Sequence, residues 1–377
     1  MLMSVSTDRK SPGQLVASAL AGSWRTAPAA LPLSASELAA ITPLLIKGAS
    51  GALVWRIIRD TALAESESGE ALHTVYRVNR LEARVHAYKI KTIVAHLNRT
   101  GIESVLMKGW SVARHYAEPG LRHYGDLDLC VAPNQYRAAQ TALKSLGALE
   151  CYVDLHRALG RNDQLSWVDL WANSELVELD DLKVRVLGAE DHLRLLCLHW
   201  LRHGAWGPLG LCDISAAIEA RAANFDWQKA FGRDKKRADW MACALGLAQQ
   251  LLGANVTDTP VAERARHLPQ WLAPAVLEQW QTCINPNYRD MALRETLGLL
   301  RTPARLLHEL GGRWRHPIRA TVEVGGRFND WPRGPYQLSA LLLRSPELPR
   351  QLAIMAWSKL RGLTTLAAER REEGSQT

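Results

Sequence analysis

The sequence predicts an α+β protein: a small core of mixed sheet with helices, flanked by largely helical N- and C-terminal segments. Two patterns carry that expectation. Between residues 104 and 158 short apolar runs alternate with Gly and Pro turn signals at spacings too tight for long helices. On either side of this stretch the apolar residues recur at helical spacing. Length is the third observation, because 377 residues exceed one compact core. Four segments are expected: a leader and helical segment at 1–68, the core at 69–187, a helical domain at 188–300, and a basic region with a solvated tail at 301–377.

Taken in order, residues 1–30 carry Ser, Pro and Gly with little periodicity and are expected to be a loose leader. Helical spacing runs from Ser34 to Ala64, with Ser34 or Ser36 available as an N-cap. The polar run ESESGE (65–70) breaks the pattern, and a long amphipathic helix should follow from Ala71 to Arg99, closed by Gly101. SVLM (104–107) is a buried strand leading into the Lys108-Gly109 turn, and SVARHYAE is a short helix stopped by Pro119-Gly120. A second strand is expected at Asp126–Val131. A helix then opens at Pro133 and closes at Gly147, and a third strand spans ALECYVDLHRA. From Gly188 the pattern is helical to about Leu300, and an amphipathic helix ends near Leu363.

Composition narrows the classes. The apolar fraction of 47% and charged fraction of 22% are those of a globular chain. No apolar run approaches the roughly 18 residues of a membrane span. A signal peptide is not expected, since Asp8 and Pro12 precede the short apolar run LVASALAG. Six cysteines contain no CxxC, which argues against a zinc knuckle or a redox pair and for reduced thiols in the cytoplasm. Residues 301–377 hold thirteen Lys/Arg against seven Asp/Glu, a net of +6 out of +8 for the chain. Such a region favours an anionic partner, nucleic acid among the options, or is simply an Arg-rich solvated surface.

The chemistry concentrates in VLMKGWSVARHYAEPGLRHYGDLDLCV (105–131). Asp126 and Asp128, one residue apart in a strand, would project from one face while Leu127 and Leu129 face the core. Two adjacent carboxylates near a core call for a neutralising cation, and oxygen ligands suit Mg²⁺ or Mn²⁺. Asp154, on the polar face of the next strand, supplies a third acid. Upstream, Lys108 and Gly109 form a turn ahead of a helix, which together with a metal would accommodate a nucleoside triphosphate.

This order of strand, Gly turn, helix, DxD strand, helix and acid-bearing strand resembles the polymerase-β-type nucleotidyltransferase superfamily. More narrowly, the LMKG…Y…PGLR…GDLDLCV run followed by VDLHRAL is similar to an uncharacterised bacterial nucleotidyltransferase family, well over 105–159 and weakly to about 220. The resemblance implies that Asp126, Asp128 and Asp154 are the metal-binding and catalytic triad. It further implies that an NTP, expected to be ATP, donates its nucleoside monophosphate to an unidentified acceptor. Lys108, Gly109, Ser111 and Arg122 would contact the nucleotide, Arg122 reaching a phosphate or orienting an aspartate. Trp110 stands where the superfamily has Ser or Gly, and Ser111 follows one place late.

His156 shares the face of Asp154, and His199 and Asp213 lie on helices that follow; these three are candidate acceptor contacts. His199 and His203 have zinc-protease spacing, but Trp200 stands where that motif needs Glu. A histidine satisfied within the core is the competing reading of His199, and Asp213 could instead pair with Arg202 or His203. Two rival functions remain: a catalytically degenerate binding or regulatory protein, and a DxD nucleotide-sugar glycosyltransferase, for which no upstream nucleotide-sugar unit is visible.

Overall fold

The computed structural model describes residues 10–157, 166–282 and 316–344. The chain divides into two compact units, Met1–Tyr288 with Arg327–Asp330, and Arg289–Gly326 with Trp331–Thr377. Among the described residues no helix is long and apolar enough to cross a membrane.

The first unit opens with α1 (Pro12–Leu20), where a loose leader was expected. Ser11 and Gln14 form a capping box, Pro12 occupies the first turn, and Leu15, Val16, Ala19 and Leu20 are buried. Helices α2 (Ala35–Lys47, capped by Ser34) and α3 (Gly51–Ile58) follow. Helix α4 runs from Glu67 to Arg99, one turn longer than expected, because Ser66 of the polar break accepts the Gly69 N–H and serves as its N-cap.

The sheet comprises β1 (Ser104–Leu106), β2 (Leu127–Val131), β3 (Val153–His156), β4 (Glu175–Leu179) and β5 (Leu182–Val186) in the order β3-β2-β1-β5-β4. Pairs β1–β2 and β4–β5 are antiparallel, whereas β2–β3 and β1–β5 are parallel. The mixed sheet with surrounding helices is the α+β core expected. The β4–β5 hairpin was not anticipated, although ELVEL-DD-LKVRV alternates on either side of a two-residue turn.

Several boundaries moved: the helix expected from Pro133 to Gly147 spans Tyr136–Lys144, the one expected over SVARHYAE spans Trp110–Ala113, and two strands changed as well. The third strand is shorter than ALECYVDLHRA, since Gly147–Tyr152 forms a 3₁₀ turn and β3 starts only where its partner does, at Leu127↔Val153. The second strand begins at Leu127, leaving Asp126 outside it.

Alternation of the strands fixes what each face meets. Leu106, Leu127, Leu129, Val131, Val184 and Val186 pack with Ile90, Ile93, Val94 and Leu97 of α4 and with Ala139 and Leu143 of α6 (Tyr136–Lys144). Val105, Met107 and Cys130 point the other way. They meet Leu170, Trp167 and Trp171 of α7 (Trp167–Asn173) and Leu195 of α8 (Ala189–Arg202). Among the described residues of the first unit, helices α9 (Pro208–Glu219), α10 (Trp227–Phe231), α11 (Lys235–Leu252), α12 (Ala262–Arg266) and α13 (Leu272–Trp280) follow. Cys130, Cys197, Cys212 and Cys243 are free and buried, as reduced thiols should be.

In the second unit, α14 (Pro317–Glu323) and α15 (Gly334–Arg344) are described. The helices expected between 283 and 300, the amphipathic helix near Leu363 and most of the basic region lie outside the described residues.

Candidate functional site

Parallel pairing of β2 and β3 sets Asp128 directly beside Asp154, and Cys130 beside His156. Asp128 lies on the same face of β2 as Cys130, opposite the apolar side chains of Leu127 and Leu129. It is buried, with its side chain 3% exposed, whereas the Asp154 side chain is 58% exposed. His156 Nε2 lies 3.2 Å from Asp128 Oδ1 and 3.2 Å from Asp154 Oδ2. One ligand atom from each of Asp128, Asp154 and His156 falls within 4.8 Å of the others, a spacing that fits one cation.

Lys108 follows β1, whose pairing with β2 continues through a Met107 N–H bond to the Asp128 carbonyl. Its Nζ sits 2.7 Å from Asp128 Oδ1. Burial alone would raise the Asp128 carboxyl; the hydrogen bond from His156 and the charge of Lys108 outweigh burial and hold it below the ordinary carboxylate range. Asp128 is therefore ionised at neutral pH, with a fixed cation on one oxygen.

Gly109 has φ of +63° and begins α5 (Trp110–Ala113). A Cβ there would lie 3.3 Å from the Tyr124 ring and 3.4 Å from the Asp126 carbonyl, so the turn packs tightly on the backbone leading into β2. Asp126 is exposed and is not in the three-residue group. Because it precedes the strand, the alternation that would have placed it beside Asp128 does not reach it. Ser111 is fully buried, and its hydroxyl has no protein partner.

Arg122 meets an aspartate other than the expected ones. Its guanidinium donates to both carboxylate oxygens of Asp213 on α9, Nη2 at 2.8 Å and Nε at 3.2 Å, and the Tyr116 hydroxyl donates to Asp213 Oδ1 at 2.7 Å. Asp213 thus pairs with neither Arg202 nor His203; it ties the 114–126 segment to the helical part. Sequence reasoning missed Tyr116, and no sequence signal marks it.

His199 on α8 is near enough to Lys108 and Asp128 for their charges to act on it. Burial, then the Lys108 charge, pushes its pKa well below the usual imidazole range, so it is neutral at pH 7. Its ring lies 4.4 Å from that of His203. Farther along, His115 and His192 have ring centroids 6.3 Å apart. Burial, with the Arg114 charge second, lowers His115 to about 4; burial, with His115 second, lowers His192 to about 3.

Residues 37–253 match an uncharacterised nucleotidyltransferase family. The chain belongs to that family. No curated protein matches it, and no solved structure does either. The matched span begins within α2 and contains the whole sheet and the helices from α3 to α11, so the acid cluster and the helices around it fall within one family unit.

Proposed function

We propose that this protein transfers a nucleoside monophosphate from an NTP, ATP in the first instance, to an acceptor hydroxyl or phosphate. The supporting observation is the in-register pair Asp128 and Asp154 with Lys108 at 2.7 Å, set beside the Gly109 turn. Asp128, Asp154 and His156 fit a divalent cation such as Mg²⁺ or Mn²⁺ in spacing, and the exposed Asp126, just ahead of β2, lies outside that group. When bound, such a cation polarises phosphate oxygens and neutralises the charge that grows as pyrophosphate leaves.

The side chains divide the remaining work. Lys108 exchanges Asp128 for the triphosphate, and the Gly109 turn lets the chain approach the phosphates closely. The acceptor oxygen bonds to the α-phosphorus as the bond to the bridging oxygen breaks. Asp154, the most exposed of the paired acids, receives the acceptor's proton. Neutral His199 forms part of the wall opposite and accepts or donates a hydrogen bond to the acceptor. Positioning and charge neutralisation supply the rate.

The test incubates the full chain with each labelled NTP and a divalent metal, followed by mass analysis of acceptor candidates and of the protein itself. Release of pyrophosphate with a nucleotidylated product, absent in Asp128→Asn, is expected. Nucleotide binding without any product would favour a non-catalytic binding protein.

A further inference from the structure

We propose that α4 carries a docking seam for an amphipathic helix with acidic flanks, presented by another polypeptide. The seam would serve whatever reaction the site performs.

Helix α4 is 33 residues long, and one of its faces holds the core, with Leu72, Tyr76, Ile90, Ile93, Val94 and Leu97 buried. On the reverse, Val78, Leu81, Val85 and Tyr88 stand between 43% and 67% exposed. Their steps of three, four and three residues stack them in one column, the a/d spacing with which one helix receives another. A single exposed apolar side chain is ordinary. Four in one column of a long helix form a continuous apolar patch, the kind of surface that marks an interaction site.

The charges beside the column choose the partner. Arg77, Arg80 and Arg84, again at helical steps, make a second column along one edge of the first. All three are exposed, and none has an ion pair among the described residues. The other charges of this part of α4 are engaged. Glu82 Oε2 lies 3.1 Å from His123 Nδ1, Lys89 Nζ lies 3.1 Å from the centre of the Tyr152 ring, and Lys91 pairs with Asp180 and Asp181. What remains is an apolar seam edged by three unneutralised guanidinium groups. A helix with Leu or Ile on one face and Glu or Asp beside it complements both columns.

Two other occupants fit less well. A second copy would bring like charges together: antiparallel pairing sets the two arginine columns side by side, and parallel pairing sets Arg84 of one copy by Lys89 of the other. An anionic membrane takes a broad apolar face, whereas a single a/d column is the narrow seam of helix pairing.

The seam also lies on the helix that supports the approach to β2. The His86 and Tyr124 rings are 4.8 Å apart, and Gly120 packs against the Arg80 backbone. A docked helix would therefore rest on the same element as the segment that leads into Asp128.

The probe is a labelled synthetic helix with Leu at its seam positions and Glu on its flanks, paired with a control peptide in which every Glu is Lys. Fluorescence anisotropy with the full chain should show the Glu peptide binding at least about tenfold more tightly than the Lys peptide, with the gap narrowing above about 0.15 M salt. Leu81→Ser with Tyr88→Ser should weaken the Glu peptide about tenfold or more. The triple change Arg77→Glu, Arg80→Glu and Arg84→Glu should invert the preference toward the Lys peptide, an outcome that an unfolded variant could not give. Circular dichroism checks that each variant keeps its helix content. Equal binding of the two peptides, no binding of either, or undiminished binding in the Ser variant overturns the proposal. So does sedimentation showing a wild-type dimer that Leu81→Ser dissociates, which would assign the seam to a second copy. Capture of the wild type, and not of the Ser variant, by phosphatidylglycerol vesicles would assign it to a membrane and overturn the proposal equally.

Discussion

Asp213→Ala should be among the most damaging single changes in the first unit. The carboxylate is 4% exposed and accepts from the Arg122 guanidinium, itself 14% exposed, and from the Tyr116 hydroxyl. Removing it strands a buried cation, which costs about 3–5 kcal/mol. It also leaves a buried phenol without its acceptor, at about 1–3 kcal/mol more. Allowing for relaxation, the loss should be about 4–6 kcal/mol, much of the stability of a typical domain. Replacing both partners by apolar groups, Arg122→Met with Asp213→Leu, removes the charges together and should return the protein to within about 2 kcal/mol of wild type. Urea unfolding followed by tryptophan fluorescence reads both values, and the cycle formed with Arg122→Met alone isolates the coupling. If Asp213→Ala costs less than about 1 kcal/mol, or the double variant is no better than the single, the pair is not the buried lock described.

Other outcomes follow from the same site. Asp128→Asn should abolish metal binding and nucleotidyl transfer, measured by titration and pyrophosphate release. It should also lower thermal stability, because the oxygen that Lys108 and His156 share loses its negative charge; relief of repulsion between Asp126 and Asp128, which would raise stability, is not at work with Asp126 exposed. Lys108→Met should raise Mn²⁺ affinity in nucleotide-free protein about tenfold, or 1.4 kcal/mol, and weaken binding of NTP more than NMP in calorimetry. Acid should destabilise the fold through His115 and His192: their folded pKa values, about 4 and about 3, lie below the unfolded value near 6.5. Their contribution is complete above the unfolded value and is lost as pH falls toward the folded ones, with a slope of up to roughly 1.4 kcal/mol per pH unit per group. His192→Gln should flatten the fall in urea midpoint between pH 7 and pH 4. Gly120→Ala should reduce the melting temperature measurably, since φ is +92° and a Cβ would lie 2.7 Å from the Arg80 Cα.

The sequence by itself determined the local frame of this protein. Apolar runs punctuated by Gly and Pro mark β1, β2 and β3, helical spacing marks α4 and α8, and the DxD and DLH runs point to Asp128, Asp154 and His156, all because these signals act over a few residues. The membership of residues 37–253 in a nucleotidyltransferase family agrees with that reading. Pairing across the sheet decided the rest. Strand register sets Asp128 against Asp154, and the start of β2 at Leu127 puts Asp126 outside the group, so a spacing that looked like two equivalent ligands became one buried acid and one exposed acid. Arg122 and Asp213 lie 91 residues apart, and no local pattern says that a guanidinium near the core will neutralise a carboxylate on α9. Lys108 likewise finds Asp128 only because β1 and β2 are hydrogen-bonded neighbours. Local steric and hydrophobic preferences chose the elements, whereas the requirement that every buried charge meet its opposite could be resolved only once those elements had packed.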